Sequence, residues 1–82
     1  MITINSPERA FILINVRPDS LESVQAKLRA NPNIAMADIV YGPYDIIAVV
    51  IAVEIKEITN VVLHDIRRID GIVETLTCIK VN

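Results

Sequence analysis

Apolar residues in this chain fall into two patterns: runs that are apolar at both parities, and stripes that recur every three or four residues. Ala10 to Val16 (Ala-Phe-Ile-Leu-Ile-Asn-Val) and the run from Ile46 to Val53 belong to the first kind. Successive side chains of a strand point to opposite faces, so a run apolar at both parities predicts a strand buried on both faces, at the centre of a sheet. The second run lies in a third strand expected over Tyr44 to Val53, in which Ile46, Ala48 and Val50 point one way and Ile47, Val49 and Ile51 the other. Ile34 to Tyr41, diluted by Asp38 and alanines, predicts an edge strand. Ile72 to Val81 predicts a last strand, with Val73, Thr75, Thr77, Ile79 and Val81 on one side and Glu74, Leu76, Cys78 and Lys80 on the other.

The stripes predict two helices. Leu21, Val24 and Leu28 lie at helical spacing after Arg17-Pro18, with Asp19 as the expected N-cap and Glu22 completing a capping box. Asn31-Pro32-Asn33 closes this helix. Ile55, Ile58, Val62, Ile66 and Ile69 form the second stripe, with Glu54 and Glu57 at its start and Arg67-Arg68 at its end, charges that complement the helix dipole. Asp70-Gly71 ends it. Between the second and third strands, Tyr41-Gly42-Pro43-Tyr44-Asp45 carries the strongest break signal in the chain, and predicts a hairpin with a short connection.

The order strand, helix, strand, strand, helix, strand predicts an α+β, ferredoxin-like βαββαβ domain: a four-stranded antiparallel sheet of order 4-1-3-2 with two helices on one face. That order puts the first and third strands in the middle, and these are the two runs apolar at both parities. The domain is expected over residues 9–82, after a short polar arm at 1–8. With both helices on one face, the other apolar face lies bare in a monomer, and a patch of that size marks an interface. Two sheets packed face to face in a homodimer, helices outside, are the expected solution.

Composition narrows the partners. The 82 residues are 52% hydrophobic and only 4% aromatic, so an aliphatic core is expected that is hard to hide in a two-layer monomer. The formal charge is −2, and no basic cluster exceeds Arg67-Arg68, which argues against direct nucleic-acid binding. A single cysteine, Cys78, rules out a disulfide framework within the chain, and it is expected to be a small buried hydrophobe of the last strand. No apolar stretch approaches a membrane span and no signal-peptide pattern opens the chain, so a cytoplasmic location is expected.

Signals for catalysis are nearly absent. His64, the one histidine, sits between stripe residues as an ordinary helix histidine would, and no nucleophile–base signature accompanies it. Two glycines cannot make a phosphate loop. Phe11, Tyr41 and Tyr44 do not make an RNA-stacking platform. No metal or other cofactor is expected. What remains is polar chemistry at strand ends. Asp45, at the entry to a buried strand, is either a turn cap or a carboxylate for an ammonium. Thr75 and Thr77 project to one side, as ordinary strand residues or as paired hydroxyls for a ligand.

Gly42-Pro43-Tyr44-Asp45, followed by Ile69-Asp70-Gly71-Ile72-Val73 and Thr75-Leu76-Thr77, resembles the effector-binding domain of the leucine-responsive/asparagine (Lrp/AsnC) regulators, also called the RAM domain, for regulation of amino-acid metabolism. The resemblance covers about residues 9 to 82. It implies a non-enzymatic domain that senses an amino acid or related metabolite. In that family the G-x-Y-D loop and the T-x-T strand help line small-ligand sites where dimers meet in a larger ring. The matching residues are Gly42, Tyr44, Asp45, Thr75 and Thr77. The family's regulators carry a helix-turn-helix domain before this one, and the eight residues here are too few to form it. The expectation is therefore a stand-alone RAM protein that mixes with full-length regulators. Tyr41 stands where the family often has a smaller polar residue, so ligand identity does not carry over. Two other readings remain: a small dimeric ferredoxin-like enzyme with His64 in its pocket, and an assembly module without ligand.

Overall fold

The structure, a computed structural model, describes residues 7–81. The chain runs β1 (Glu8–Val16), a 3-10 turn (Pro18–Ser20), α1 (Leu21–Arg29), β2 (Ile34–Ile39), β3 (Ile46–Ala52), α2 (Ile55–Asn60), a π-helical segment (Val61–Ile66) and β4 (Ile72–Ile79). The four strands form one antiparallel sheet of order β2-β3-β1-β4, which is the expected 4-1-3-2 order read from its other edge. The expected arm, 1–8, lies outside the described residues except at Pro7 and Glu8, and Glu8 is already the first residue of β1.

Both central strands bury one parity under the helices. Ala10, Ile12 and Ile14 of β1 lie opposite Val50, Ala48 and Ile46 of β3, and all six are fully buried. Val24 and Leu28 of α1 and Ile58, Val61, Val62 and Ile66 of the second helix close over them. Burying such a side chain contributes about 1.5–3 kcal/mol, so this single aliphatic layer supplies most of the fold's driving force. The other parity of the same strands faces outward. Phe11 and Leu13 lie opposite Val49 and Ile47 on one side and opposite Cys78 and Leu76 on the other, a contiguous apolar surface with no element over it among the described residues. Cys78 is thus exposed in the protomer, contrary to the expected burial, because β4 is an edge strand and its even positions lie on the bare face.

The helix termini differ from their expected chemistry. Asp19 does not cap α1. Pro18, with its fixed φ and missing N–H, starts a helical turn one step earlier, and Ser20 rather than Asp19 stands before Leu21, without a side-chain cap. The Ser20 hydroxyl donates instead to Asp19 Oδ1 at 3.1 Å. At the other end of α1 the Asn31 side-chain oxygen accepts from the Asn33 N–H at 2.8 Å, an Asx turn that redirects the chain into β2. In the second helix the Arg67 N–H donates to the Val62 carbonyl at 2.9 Å, an i to i−5 bond that closes a π turn. The wider turn lets Val61 and Val62 both face the core. Ile55, at the helix start, is exposed instead of joining the stripe.

Gly71 shows why a glycine stands at the entry to β4. Its φ is +104°, and a Cβ there would lie 2.4 Å from Ser20 Cβ and 2.7 Å from Ser20 Oγ. Its carbonyl accepts from the Arg17 N–H at 2.8 Å. The start of β4 is thereby clamped against the start of the first helical turn, which fixes where Thr75 and Thr77 fall.

Candidate functional site

Asp45 is placed by three hydrogen bonds at the point where β3 leaves the ladder. Its N–H donates to the Ile14 carbonyl and its carbonyl accepts from the Val40 N–H, both at 2.9 Å. Its Oδ2 accepts from the Val16 N–H at 2.9 Å. The carboxylate therefore completes the end of β1, a donor that β3 no longer reaches, and caps a neighbouring strand rather than its own turn. Its second oxygen has no hydrogen-bond partner among the described residues. Asp45 is half-buried and lines a cleft of about 420 Å³ with Leu21, Ile39, Val40 and Tyr41. Beside it the tip of the connection, 41–43, is exposed. β2 stops at Ile39, not at Tyr41, and β3 starts at Ile46, not at Tyr44. Tyr41 is fully exposed, Gly42 has a φ of +151° with nothing within 4 Å of the position of a Cβ, and Tyr44 is half-buried.

Thr75 and Thr77 lie opposite Ile14 and Ile12, at the parity that faces the helices. β4 is the outer strand on this side, and the second helix leaves a groove along it of about 520 Å³. Thr59, Val62, Leu63 and Arg67 form the helical wall, and Ile72 to Thr75 with Thr77 form the strand wall. Arg67 was not reachable from spacing. Only its place in the turn after Ile66 pointed toward β4, and the dipole argument at the helix end explained its charge without a ligand.

The two sets of candidate residues do not meet in one protomer. Asp45 and Thr75 flank Ile14 from opposite sides, Asp45 by its hydrogen bond from β3 and Thr75 by its pairing from β4. With strands about 4.8 Å apart, their backbones are separated by ~10 Å. No lining residue is common to the two clefts. His64 is exposed on the outer side of the π-helical segment and lines neither of them. Among the described residues no group of His, Cys, Asp and Glu is clustered to hold a metal ion, and no helix is long and apolar enough to cross a membrane.

Comparison with known proteins bears on which chemistry this geometry serves. The sequence model of the Lrp/AsnC ligand binding domain matches residues 9–82. Among solved structures, the Thermus thermophilus protein TTHA0845 is 28% identical, with a TM-score of 0.88 over 92% of this chain and 94% of its own. A hypothetical protein of Pyrococcus horikoshii is 32% identical, with a TM-score of 0.85 over 92% of this chain and 90% of its own. The Neisseria meningitidis transcriptional regulator NMB0573, solved as a complex with L-Met, shares the fold at 18% identity and a TM-score of 0.84; the match covers all of this chain and 58% of the regulator. No protein of curated function matches the chain.

Proposed function

Because this chain belongs to the Lrp/AsnC ligand-binding domain family, we propose that it is a non-enzymatic sensor that binds an amino acid between its own copies. The observation that carries this reading is the division of the candidate site into two half-open clefts on opposite sides of β1. A ligand the size of an amino acid cannot bridge both on one protomer. It can do so where the 40–45 loop of one subunit meets the β4 groove of another. The loop suits that role, since Tyr41 and Gly42 stand clear of their own protomer. Asp45 offers its second carboxylate oxygen to an ammonium, Thr75 and Thr77 offer hydroxyls, and Gly42 and Tyr44 shape the loop.

Assembly obeys the same logic. The bare apolar face of β1, β3 and β4 packs against its copy to give a homodimer, and dimers join through their loops into a ring, which creates the ligand sites. The chain carries a net charge of −2 and no basic stripe, so any effect on transcription passes through a protein partner, a full-length Lrp/AsnC-type regulator in the cytoplasm. A thermal-shift screen of all amino acids with light scattering alongside tests the reading. One or a few amino acids should raise the melting temperature of a dimer or larger assembly. A monomer that no amino acid stabilises would overturn it.

A further inference from the structure

The groove beside β4 gathers a cation and two hydroxyls, of Thr75 and Thr77, that have no hydrogen-bond partner among the described residues, while the Thr59 hydroxyl donates to the Ile55 carbonyl at 3.3 Å. Arg17 is paired with Asp19 and Asp70, and Arg29 with Asp38 and the Ala37 carbonyl, so each ties two segments together. Arg67 has no ion-pair or hydrogen-bond partner for its side chain among the described residues. It lines the groove with Thr59, Thr75 and Thr77. A guanidinium presents two parallel N–H groups to a planar carboxylate, and hydroxyls beside it supply the remaining donors. The acid in the lining is Glu74. It pairs with Asn15, at the parity of the bare sheet face, whereas Thr75 and Thr77 share the parity of the groove.

The backbone supplies a second, independent observation. The π turn is closed by the N–H of Arg67 itself. Successive residues of an α-helix advance by about 100°, so the extra residue in a π turn rotates the residues after it by roughly that much. Arg67, whose own N–H closes the turn, lines the groove across from the strand wall. Such turns are rare and recur at functional sites.

We infer that Arg67 is the carboxylate anchor of the effector site, holding the acid group of the ligand while Thr75 and Thr77 donate beside it. This rests on the effector-binding reading above and shifts the carboxylate away from the backbone near Gly42. That backbone is exposed, so water competes for its N–H groups. The ligand class is then a free α-amino acid, not its amide, its ester or a residue within a peptide. Its ammonium lies toward Asp45 of the adjoining subunit.

The test monitors backbone amide resonances of the isotopically labelled protein and of Arg67→Gln, with probes that carry one functional group each. Propionate should shift the Thr75 and Thr77 amides in the wild type and leave them unmoved in Arg67→Gln, and butylamine should not move them in either. Glu74→Gln should retain the propionate response. For an amino acid that stabilises the wild type, Arg67→Gln should weaken calorimetric binding by about 10- to 100-fold. Arg67→Lys, which keeps charge without the fork, should fall between, and the amide of that amino acid should bind both proteins alike. Groove amides that ignore propionate, or respond equally in Arg67→Gln, would overturn the anchor even where an amino acid binds. A groove that responds to propionate through Arg67 in a protein no amino acid stabilises would uphold the anchor and sink the amino-acid reading.

Discussion

The two faces of the one sheet are built from neighbouring residues of the same strands, and they are nearly equal in hydrophobicity. Ile12 and Ile14 are fully buried under the helices, while Phe11, between Ala10 and Ile12, is 39% exposed, and Leu76 is 46% exposed. The difference does not come from the side chains. It comes from topology, because right-handed crossovers put both helices on one side. Covered apolar surface is committed to folding; bare apolar surface is left for association. An exposed apolar patch of this kind marks an interaction site.

Charge placed on adjacent residues gives the sharpest break between the faces. Ile14→Lys puts an unpaired charge into the closed layer, at a cost of several kcal/mol against a total stability of about 5–15 kcal/mol, and should yield no folded protein by circular dichroism. Leu13→Lys puts the same charge on the bare face. It should keep the native spectrum and lose the dimer in sedimentation. A folded Ile14→Lys, or an unchanged oligomer in Leu13→Lys, would collapse the distinction.

The glycines give a smaller contrast. Gly71→Ala must shift Ser20 and hold a positive φ, and should destabilise by about 2–4 kcal/mol in urea titration. Gly42→Ala meets open space and carries only the conformational term, roughly 1–2 kcal/mol. Equal losses would mean that the clamp between Gly71 and the Pro18–Ser20 turn contributes nothing. The smallest effect is at Cys78. Alkylation of its thiol should be slow in the wild-type assembly and fast in Leu13→Lys, with no change in stability. A thiol equally reactive in both would leave the bare face uncovered in solution.

The architecture was legible because burial on both faces leaves a mark that no helix or edge strand shares. Ala10–Val16 and Ile46–Ile51 carried it, and strand order came from placing them in the centre. Ends were less legible. Ile39-Val40-Tyr41 reads as continuing strand, yet β2 ends at Ile39; Val40 still donates to the Asp45 carbonyl, and Tyr41 beyond it is fully exposed. Asp19 and Glu22 satisfied the capping-box spacing while Pro18 had already begun the turn. Nothing in the local sequence announces a π turn; Val61-Val62-Leu63 offers more apolar positions than an α stripe can use, and packing against β1 and β3 decided which were buried. For the candidate site, motif order named Asp45, Thr75 and Thr77. Their separation by β1, and the presence of Arg67 in the groove, depended on tertiary placement.

Complementation measures directly whether a ligand site is shared between subunits. Asp45→Ala chains and Thr75→Ala/Thr77→Ala chains should each lose about 10- to 100-fold in affinity for the stabilising amino acid. Mixed, unfolded together and refolded, they should regain wild-type affinity at a fraction of the sites, those joining an intact loop from one variant to an intact groove from the other. A mixture that binds no better than its separate components would contradict the shared site.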